Sequence, residues 1–335
     1  MAYTTIDNPE LYFQTKLYTG QASSQGDGTT TAITFDGDED MQPDLIWIKN
    51  RDGTDWHDVT DSVRGVTKSI YPNENDAEDT VATAVTAIGS DGFTVGSNDQ
   101  VNDASDKYVA WCWKESATAG FDIVSYTGNA TNRTISHSLS AAAKVVIIKD
   151  RSTTGEWVFG HGSQGFTKFA EMNSTGAFQT VASRFNNTAP TSSVFSVGTA
   201  NDTNENTDSL IAYLFAEKQG FSKFGSYTGN GNADGAFIHL GFRPAFIMFK
   251  NTSNTQNWYM YDNKRSSFNP ANDHFYADAD SAEVADSAHG LDILSNGFKM
   301  RTTNDGWNGS GEVYVYIAFA EAPFVNSNGV PCNAR

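Results

Sequence analysis

Three tryptophans recur at one place in a repeated pattern and are the residues of this chain best suited to recognise a ligand. Trp56, Trp157 and Trp258 each follow a lysine by seven or eight residues. An indole ring that stays exposed beside a strand can stack on the face of a sugar. The same ring can instead fill a core or fasten a loop to a sheet, because it buries a large apolar area. The repetition favours this structural role, and glycan binding is the alternative.

Charged residues also recur at the ends of apolar runs. The first run of each copy ends in a lysine and the second run in a glutamate: Lys49, Lys149, Lys250, Glu115, Glu217 and Glu321. A repeated lysine can bind an anion, but more commonly its stem covers apolar surface while its ammonium group stays in water. We therefore predict hydrated ammonium groups, and we treat pairing of the lysines with the glutamates as a hypothesis.

An acidic stretch offers the best candidate for a metal site. Asp36, Asp38 and Asp40 have the spacing that opens an EF-hand calcium loop, but Met41 replaces the glycine required at its sixth position and Trp47 the glutamate at its twelfth. This excludes an EF-hand and leaves an irregular calcium loop as the alternative to a hydrated acidic loop, which we favour. The acidic segments 99–106 and 201–206 allow the same two interpretations. We predict no other cofactor, since the six histidines form no metal-binding motif.

Motifs for catalysis are missing from the sequence. It contains neither the G-x-S-x-G turn of serine hydrolases nor the G-x-x-x-x-G-K-[ST] phosphate loop. Carboxylates are abundant, so counting them does not exclude a glycosidase pair. However, the strand-end glutamates are the only acids at an equivalent apolar position in all copies. We predict that the protein is not an enzyme.

The candidate residues belong to a pattern that the chain repeats three times. Each copy opens with Tyr-Thr-Gly, at Tyr18, Tyr126 and Tyr227, and continues through the lysine-ended and glutamate-ended runs. The repeated lysines are spaced 149 − 49 = 100 and 250 − 149 = 101 residues apart. A unit of this length is large enough for its own core. We therefore expect tandem modules, each with most of its core to itself.

The repeated runs predict an all-β fold. They are short, rich in branched and aromatic side chains, and bounded by Gly, Asn, Asp, Ser and Thr, as buried strands are. We predict three tandem antiparallel β-sandwich modules of jelly-roll or lectin-like topology. Their boundaries are an N-terminal segment at 1–16, modules at 17–119, 120–220 and 221–324, and a tail at 325–335.

A short helix is predicted before the first module. Asn8 can cap it, Pro9 suits its first position and Glu10 its first turn, so the helix should run through Gln14.

The amino-acid composition limits the classes of partner that the protein can bind. The 335 residues carry a net charge of −18, which disfavours nucleic acid and anionic membranes. Two cysteines cannot form a disulfide framework, and no apolar run approaches the roughly 20 residues that span a bilayer. The first residues do not have the pattern of a signal peptide.

The motifs resemble a module of structural proteins in marine tailed bacteriophages. The resemblance is dense over residues 6–115 and thinner in the later copies, and it is carried by Ile6–Gln14, Leu17–Gly20, Met41–Arg51, Asp61–Lys68, Ser90–Gly96 and Tyr108–Lys114. It implies a part of the virion, assembled in the cytoplasm of the host bacterium, but no reaction and no defined ligand site.

The sequence therefore predicts a non-enzymatic virion surface protein. A tail-fibre or receptor-binding role, with a host glycan as ligand, is slightly favoured over a head-decoration role, in which three modules would surround a local threefold axis. A carbohydrate-binding module acting alone and a glycan-cleaving enzyme are the alternatives outside this class. Expected partners are tail or capsid proteins, and a homo-oligomer is left open.

Overall fold

The computed structural model describes residues 3–332, and its regular structure is dominated by antiparallel strands. The first set of strands comprises β1 (Phe13–Thr19), β2 (Thr31–Thr34), β3 (Leu45–Asn50), β4 (Asp58–Asp61), β5 (Lys68–Ser69), β6 (Asp79–Thr80), β7 (Val85–Gly89), β8 (Gly92–Val95) and β9 (Lys107–Trp113), with helix α1 (Asp99–Asn102). The second comprises β10 (Phe121–Thr127), β11 (Arg133–Ser136), β12 (Val145–Asp150), β13 (Val158–His161), β14 (Lys168–Glu171), β15 (Gln179–Thr180), β16 (Val194–Val197) and β17 (Ser209–Phe215), with α2 (Ala182–Phe185) and α3 (Asn201–Asn204).

The third set comprises β18 (Ser222–Thr228), β19 (Phe237–His239), β20 (Phe242–Asn251), β21 (Trp258–Asp262), β22 (Asp273–Tyr276), β23 (Val284–Ala285), β24 (Leu291–Leu294), β25 (Gly297–Met300) and β26 (Val313–Pro323), with α4 (Asp305–Asn308). Single 3₁₀ turns lie at Pro9–Leu11 and Ser287–His289. The all-β prediction is confirmed. Within residues 3–332, no helix has the length and apolar character needed to cross a membrane.

One strand order occurs three times, and we call the three sets of strands repeats 1, 2 and 3. The large sheets have the orders β1-β9-β3-β4, β10-β17-β12-β13-β14-β15 and β18-β26-β20-β21-β22-β23. The smaller sheets are β2-β8-β7, β11-β16 and β19-β25-β24. In every large sheet the last strand of the repeat lies between the first and third strands, so Trp113, Phe215 and Phe319 occupy equivalent positions.

The large sheets are covered on both faces. In repeats 1 and 2, one face packs on the small sheet of the same repeat: Ile46 and Ile48 contact the cluster of Phe93, and Val146 and Ile148 that of Phe195. The other face joins a central core to which all three repeats contribute. The central core is therefore shared, while repeats 1 and 2 each also keep a core of their own. Side chains of a strand alternate between its two faces, so consecutive apolar residues need apolar cover on both. Neighbouring repeats cover one of these faces.

Three equivalent aromatic rings meet in the central core. The ring centroids of Trp113 and Phe319 are 5.6 Å apart, those of Phe215 and Phe319 are 5.6 Å apart, and those of Trp113 and Phe215 are 6.5 Å apart. Mutual contact of equivalent residues places the three repeats around an approximate threefold axis.

The predicted N-terminal helix does not extend to Gln14. Asn8 accepts a hydrogen bond from the backbone N–H of Glu10, as predicted, but it caps only the 3₁₀ turn. Strand β1 begins at Phe13, whose ring stacks on that of Phe319 with 5.5 Å between centroids. Burial of Phe13 in the central core stabilises the extended chain over a second helical turn.

Candidate functional site

Two of the three predicted ligand-binding tryptophans are buried between repeats. Trp157 and Trp258 are each 1% exposed. The indole N–H of Trp157 donates to the carbonyl of Tyr71 at 2.8 Å, and that of Trp258 donates to the carbonyl of Glu171 at 3.0 Å. Each tryptophan thus fastens its own repeat to the preceding one. Neither presents a ring face to solvent, so neither can stack on a glycan in this fold.

The third tryptophan is not their structural equivalent. The residues that follow each repeated lysine by eight positions are His57, Trp157 and Trp258. The backbone N–H of His57 donates to the side chain of Asn73 at 2.8 Å, as that of Trp157 does to Asn173 at 3.0 Å. Trp56 is half-buried beside Tyr71, with 5.1 Å between ring centroids. Of the three tryptophans, Trp56 alone retains an exposed part.

His57 makes the contact that a tryptophan makes in the other two repeats. Its Nε2 lies 3.1 Å from the carbonyl oxygen of Tyr276, and its Nδ1 accepts a hydrogen bond of 2.8 Å from the indole N–H of Trp47. These partners fix a neutral ring with its proton on Nε2. Burial, together with the nearby charge of Lys49, lowers the pKa of His57 well below its usual value.

The repeated lysines are buried, two of them bind the preceding repeat, and the prediction of hydrated ammonium groups is wrong. Lys49, Lys149 and Lys250 are fully buried. The ammonium group of Lys149 donates to the carbonyl of Gly155 at 2.9 Å and, across the boundary, to that of Asn75 in repeat 1 at 3.2 Å. Lys250 likewise reaches Thr175 of repeat 2 at 2.7 Å. Burial lowers the pKa of each lysine to about 8.

The hypothesis that the lysines pair with the strand-end glutamates is also wrong. The lysine-ended and glutamate-ended runs are adjacent antiparallel strands, so the lysine and the glutamate lie at opposite ends of the strand pair. Glu321 instead pairs with Arg243 at 2.9 Å, and Glu217 accepts the backbone N–H of Phe224 at 2.8 Å. Burial and the neighbouring carboxyl of Asp122 raise the pKa of Glu115 to about 7.

The contacts between repeats follow a cyclic order. A backbone N–H of one repeat donates to a backbone carbonyl of the next at three equivalent places: Glu78 to Arg151 at 3.0 Å, Phe178 to Thr252 at 3.1 Å and Glu283 to Arg51 at 2.9 Å. We call these interfaces joint 1–2, joint 2–3 and joint 3–1. The third joint returns to repeat 1, so the three repeats form a closed ring.

Two of the joints contain an Arg–Glu–Arg cluster. At joint 1–2, Glu78 binds Arg151 at 2.8 Å and Arg64 at 3.3 Å. At joint 3–1, Glu283 binds Arg51 at 2.7 Å and Arg265 at 3.0 Å. Joint 2–3 has an apolar contact instead, in which the ring centroid of Phe178 lies 6.4 Å from that of Trp258.

The acidic candidates do not converge on a metal site. Asp36, Asp38 and Asp40 are exposed, and Asp36 pairs with Lys16 at 3.4 Å and with Lys264 at 3.6 Å. Segments 99–106 and 201–206 contain the one-turn helices α1 and α3. Residues 3–332 contain no group of three His, Cys, Asp or Glu side chains placed to hold a metal ion.

A repeated buried asparagine is a structural residue that the sequence reasoning missed. Asn102, Asn204 and Asn308 are fully buried. The amide group of Asn204 donates to the carbonyls of Thr131 and Gly198, both at 2.7 Å, and its side-chain oxygen accepts the backbone N–H of Asn129 at 3.0 Å. The recurrence of asparagine 76 to 82 residues after each Tyr-Thr-Gly glycine was hidden by the charged residues around it.

A small cavity lies in the central core. Its volume is about 30 Å³, and apolar atoms of Leu45, Trp113, Ile147, Phe215 and Phe246 line it. A space of this size and polarity suits neither a substrate nor a bound water, because a water needs polar partners.

The fold and the joints together define a class: an all-β protein whose three repeats close into a ring through buried lysines, tryptophans and arginine–glutamate clusters. The model of the family DUF7483, a domain of unknown function, matches residues 8–323. The chain therefore belongs to the DUF7483 family. It matches no curated protein.

Proposed function

We propose that this chain is a non-enzymatic structural protein on the surface of a bacteriophage particle, built from three β-sandwich modules around an approximate threefold axis. The observation that supports this most strongly is the cyclic order of the joints, in which Glu78, Phe178 and Glu283 donate equivalent hydrogen bonds. The resemblance of residues 6–115 to phage virion modules supports the particle as its location.

A head-decoration role suits this geometry best. Symmetric assemblies contain threefold positions, and one chain with three equivalent modules can meet three equivalent neighbours there. The burial of Trp157 and Trp258 removes two of the three residues on which glycan recognition would depend. We therefore place capping of the head shell ahead of tail-fibre receptor binding. Receptor binding is the second candidate, because Trp56 retains an exposed part.

Imaging of intact particles at a resolution that traces the three modules tests the proposal. We expect density at threefold positions of the head, with more than about 1,000 Å² buried against the shell. Density at the tail tip would overturn the head role and support receptor binding. Absence from the particle would overturn both.

Binding of the purified chain to host cells separates the two candidates further. If the chain is a receptor binder, Trp56→Ala should weaken binding, whereas Trp258→Phe should leave binding of the folded protein intact. The second substitution is the matched control, since Trp258 is buried at a joint. Equal binding of wild-type protein and Trp56→Ala would argue against a glycan site at this tryptophan.

A further inference from the structure

Joint 3–1 differs from the other two in how it is held together. The chain itself crosses joints 1–2 and 2–3, through residues 114–120 and 216–221. Joint 3–1 connects the last repeat to the first, and non-covalent contacts close it. They include the Glu283 cluster and the hydrogen bond of 3.1 Å from the indole N–H of Trp111 to Asp262.

Joint 3–1 is also the joint at which a titratable ring replaces tryptophan. Trp157 and Trp258 donate one N–H to the neighbouring repeat and do not titrate, whereas His57 donates across the joint through Nε2–H and accepts at Nδ1 from Trp47 of its own repeat. A second proton would place an N–H on Nδ1, directly against the indole N–H of Trp47.

The surroundings of His57 oppose a positive charge. Lys49 approaches from β3 and Arg265 from the loop after β21, and both disfavour protonation of His57. Across the joint, the carbonyl of Tyr276 accepts from Nε2, and the ring of Phe275 lies against the imidazole with 6.2 Å between centroids. The nearby carboxylates, Glu283 and Asp262, are both bound by Arg265.

We propose that joint 3–1 is stabilised while His57 is neutral and opens before joint 1–2 when His57 takes up a proton. Joint 2–3 contains a buried histidine of its own, His161, whose Nε2 lies 3.2 Å from the carbonyl oxygen of Tyr316. This device is independent of where the protein sits on a particle.

The expected size of the effect follows from proton linkage. The closed joint holds the pKa of His57 well below the ordinary 6.5, whereas an opened joint lets the ring titrate at its ordinary value. The stabilisation by neutral His57 is therefore complete above about pH 6.5 and is lost as the pH falls below it. Uptake of one proton raises the opening equilibrium constant up to about tenfold for each pH unit below that value.

Three equivalent backbone amides report on the three joints. The N–H groups of Glu78, Phe178 and Glu283 each donate across one joint. Hydrogen exchange of the full chain, expressed as protection factors between pH 7 and pH 4.5, measures all three in one sample. We expect protection of Glu283 to fall up to about a hundredfold more than that of Glu78. Glu78 is the matched control for carboxylate titration, because it lies in the other Arg–Glu–Arg cluster.

Two substitutions decide whether His57 is responsible. His57→Trp installs the residue of the other joints and should abolish the extra loss of protection at Glu283. Trp157→His should transfer an extra loss to Glu78, which keeps the proposal testable if the first variant does not fold. Equal loss of protection at Glu283 and Glu78 in the wild-type protein would overturn the proposal, as would an unchanged slope at Glu283 in His57→Trp.

Discussion

Asp150→Asn is expected to stabilise the protein, because it corrects a mismatch within the repeats. Asn50, Asp150 and Asn251 are the last residues of equivalent buried strands, and each accepts two backbone N–H bonds from the following loop. The amide of Asn50 also donates to Asp106 at 2.8 Å. In repeat 2 both partners are acids, Asp150 and Asp208. Burial raises the pKa of Asp150, and Asp208 adds to the shift.

The magnitude follows from the hydrogen bond that the substitution restores. A hydrogen bond to a charged group contributes about 1.5–3 kcal/mol in a protein interior. Because the partner carboxyl of Asp208 is only partly buried, solvent screens the interaction and we reduce this to about 1 kcal/mol. An unfolding entropy of about 2.1 cal/mol/K per residue amounts to roughly 0.7 kcal/mol/K for 335 residues. Asp150→Asn should therefore raise Tm by about 1.5 °C at pH 7.

The pH dependence separates this mechanism from a general stabilisation. Since the folded-state pKa of Asp150 is raised, the wild-type protein loses stability as the pH rises through that pKa. The gain of Asp150→Asn in thermal and urea unfolding should be full at pH 7 and shrink towards pH 4. Asn50→Asp is the matched control and should lose a similar amount at pH 7. An Asp150→Asn variant that is no more stable at pH 7, or equally improved at pH 4, would refute the reasoning.

Three further substitutions test the joints and the repeated asparagine by urea unfolding. Trp258→Ala should lower the free energy of unfolding by about 3–5 kcal/mol, because it empties a buried position, whereas Trp56→Ala should cost clearly less; equal losses would contradict the burial argument. Glu283→Gln leaves buried Arg265 with one carboxylate fewer and should lower the free energy of unfolding by about 3 kcal/mol. Glu78→Gln should have a similar effect. An unchanged free energy of unfolding would show that the cluster is dispensable. Asn204→Ala leaves two carbonyls and one N–H unpaired and should cost about 2–3 kcal/mol; a loss below about 0.5 kcal/mol would show that water replaces the amide.

The fold class could be predicted from the sequence, because strands covered on both faces appear as continuous apolar runs. Leu45–Ile48 and Val145–Ile148 are such runs, and both are buried strands. What covers their second face depends on contacts between residues about 100 positions apart, such as that of Trp113 with Phe215. Periodicity within one repeat contains no information about these contacts, so the closed ring could not be foreseen.

The candidate site was predicted less well, for a local reason. Residue type alone points to Trp56, but the loop of repeat 1 places this tryptophan one position before the structural equivalent of Trp157. Counting from Lys49 would have found His57. The prediction for the lysines is wrong because a strand-end lysine usually reaches solvent, whereas carbonyls of the preceding repeat accept from the ammonium groups of Lys149 and Lys250.

The strand order also determines when each strand can pair during synthesis on the ribosome. In each large sheet the first strand pairs with the last strand of its repeat, so Phe13 must wait for Trp113 and Phe121 for Phe215. At about 5–20 residues per second, a ribosome takes roughly 5–20 s to supply the partner. During that interval β1, β10 and then β18 are nascent strands without their native neighbour. Mispairing between the three similar repeat sequences would occur during this interval, while these strands are exposed on the ribosome.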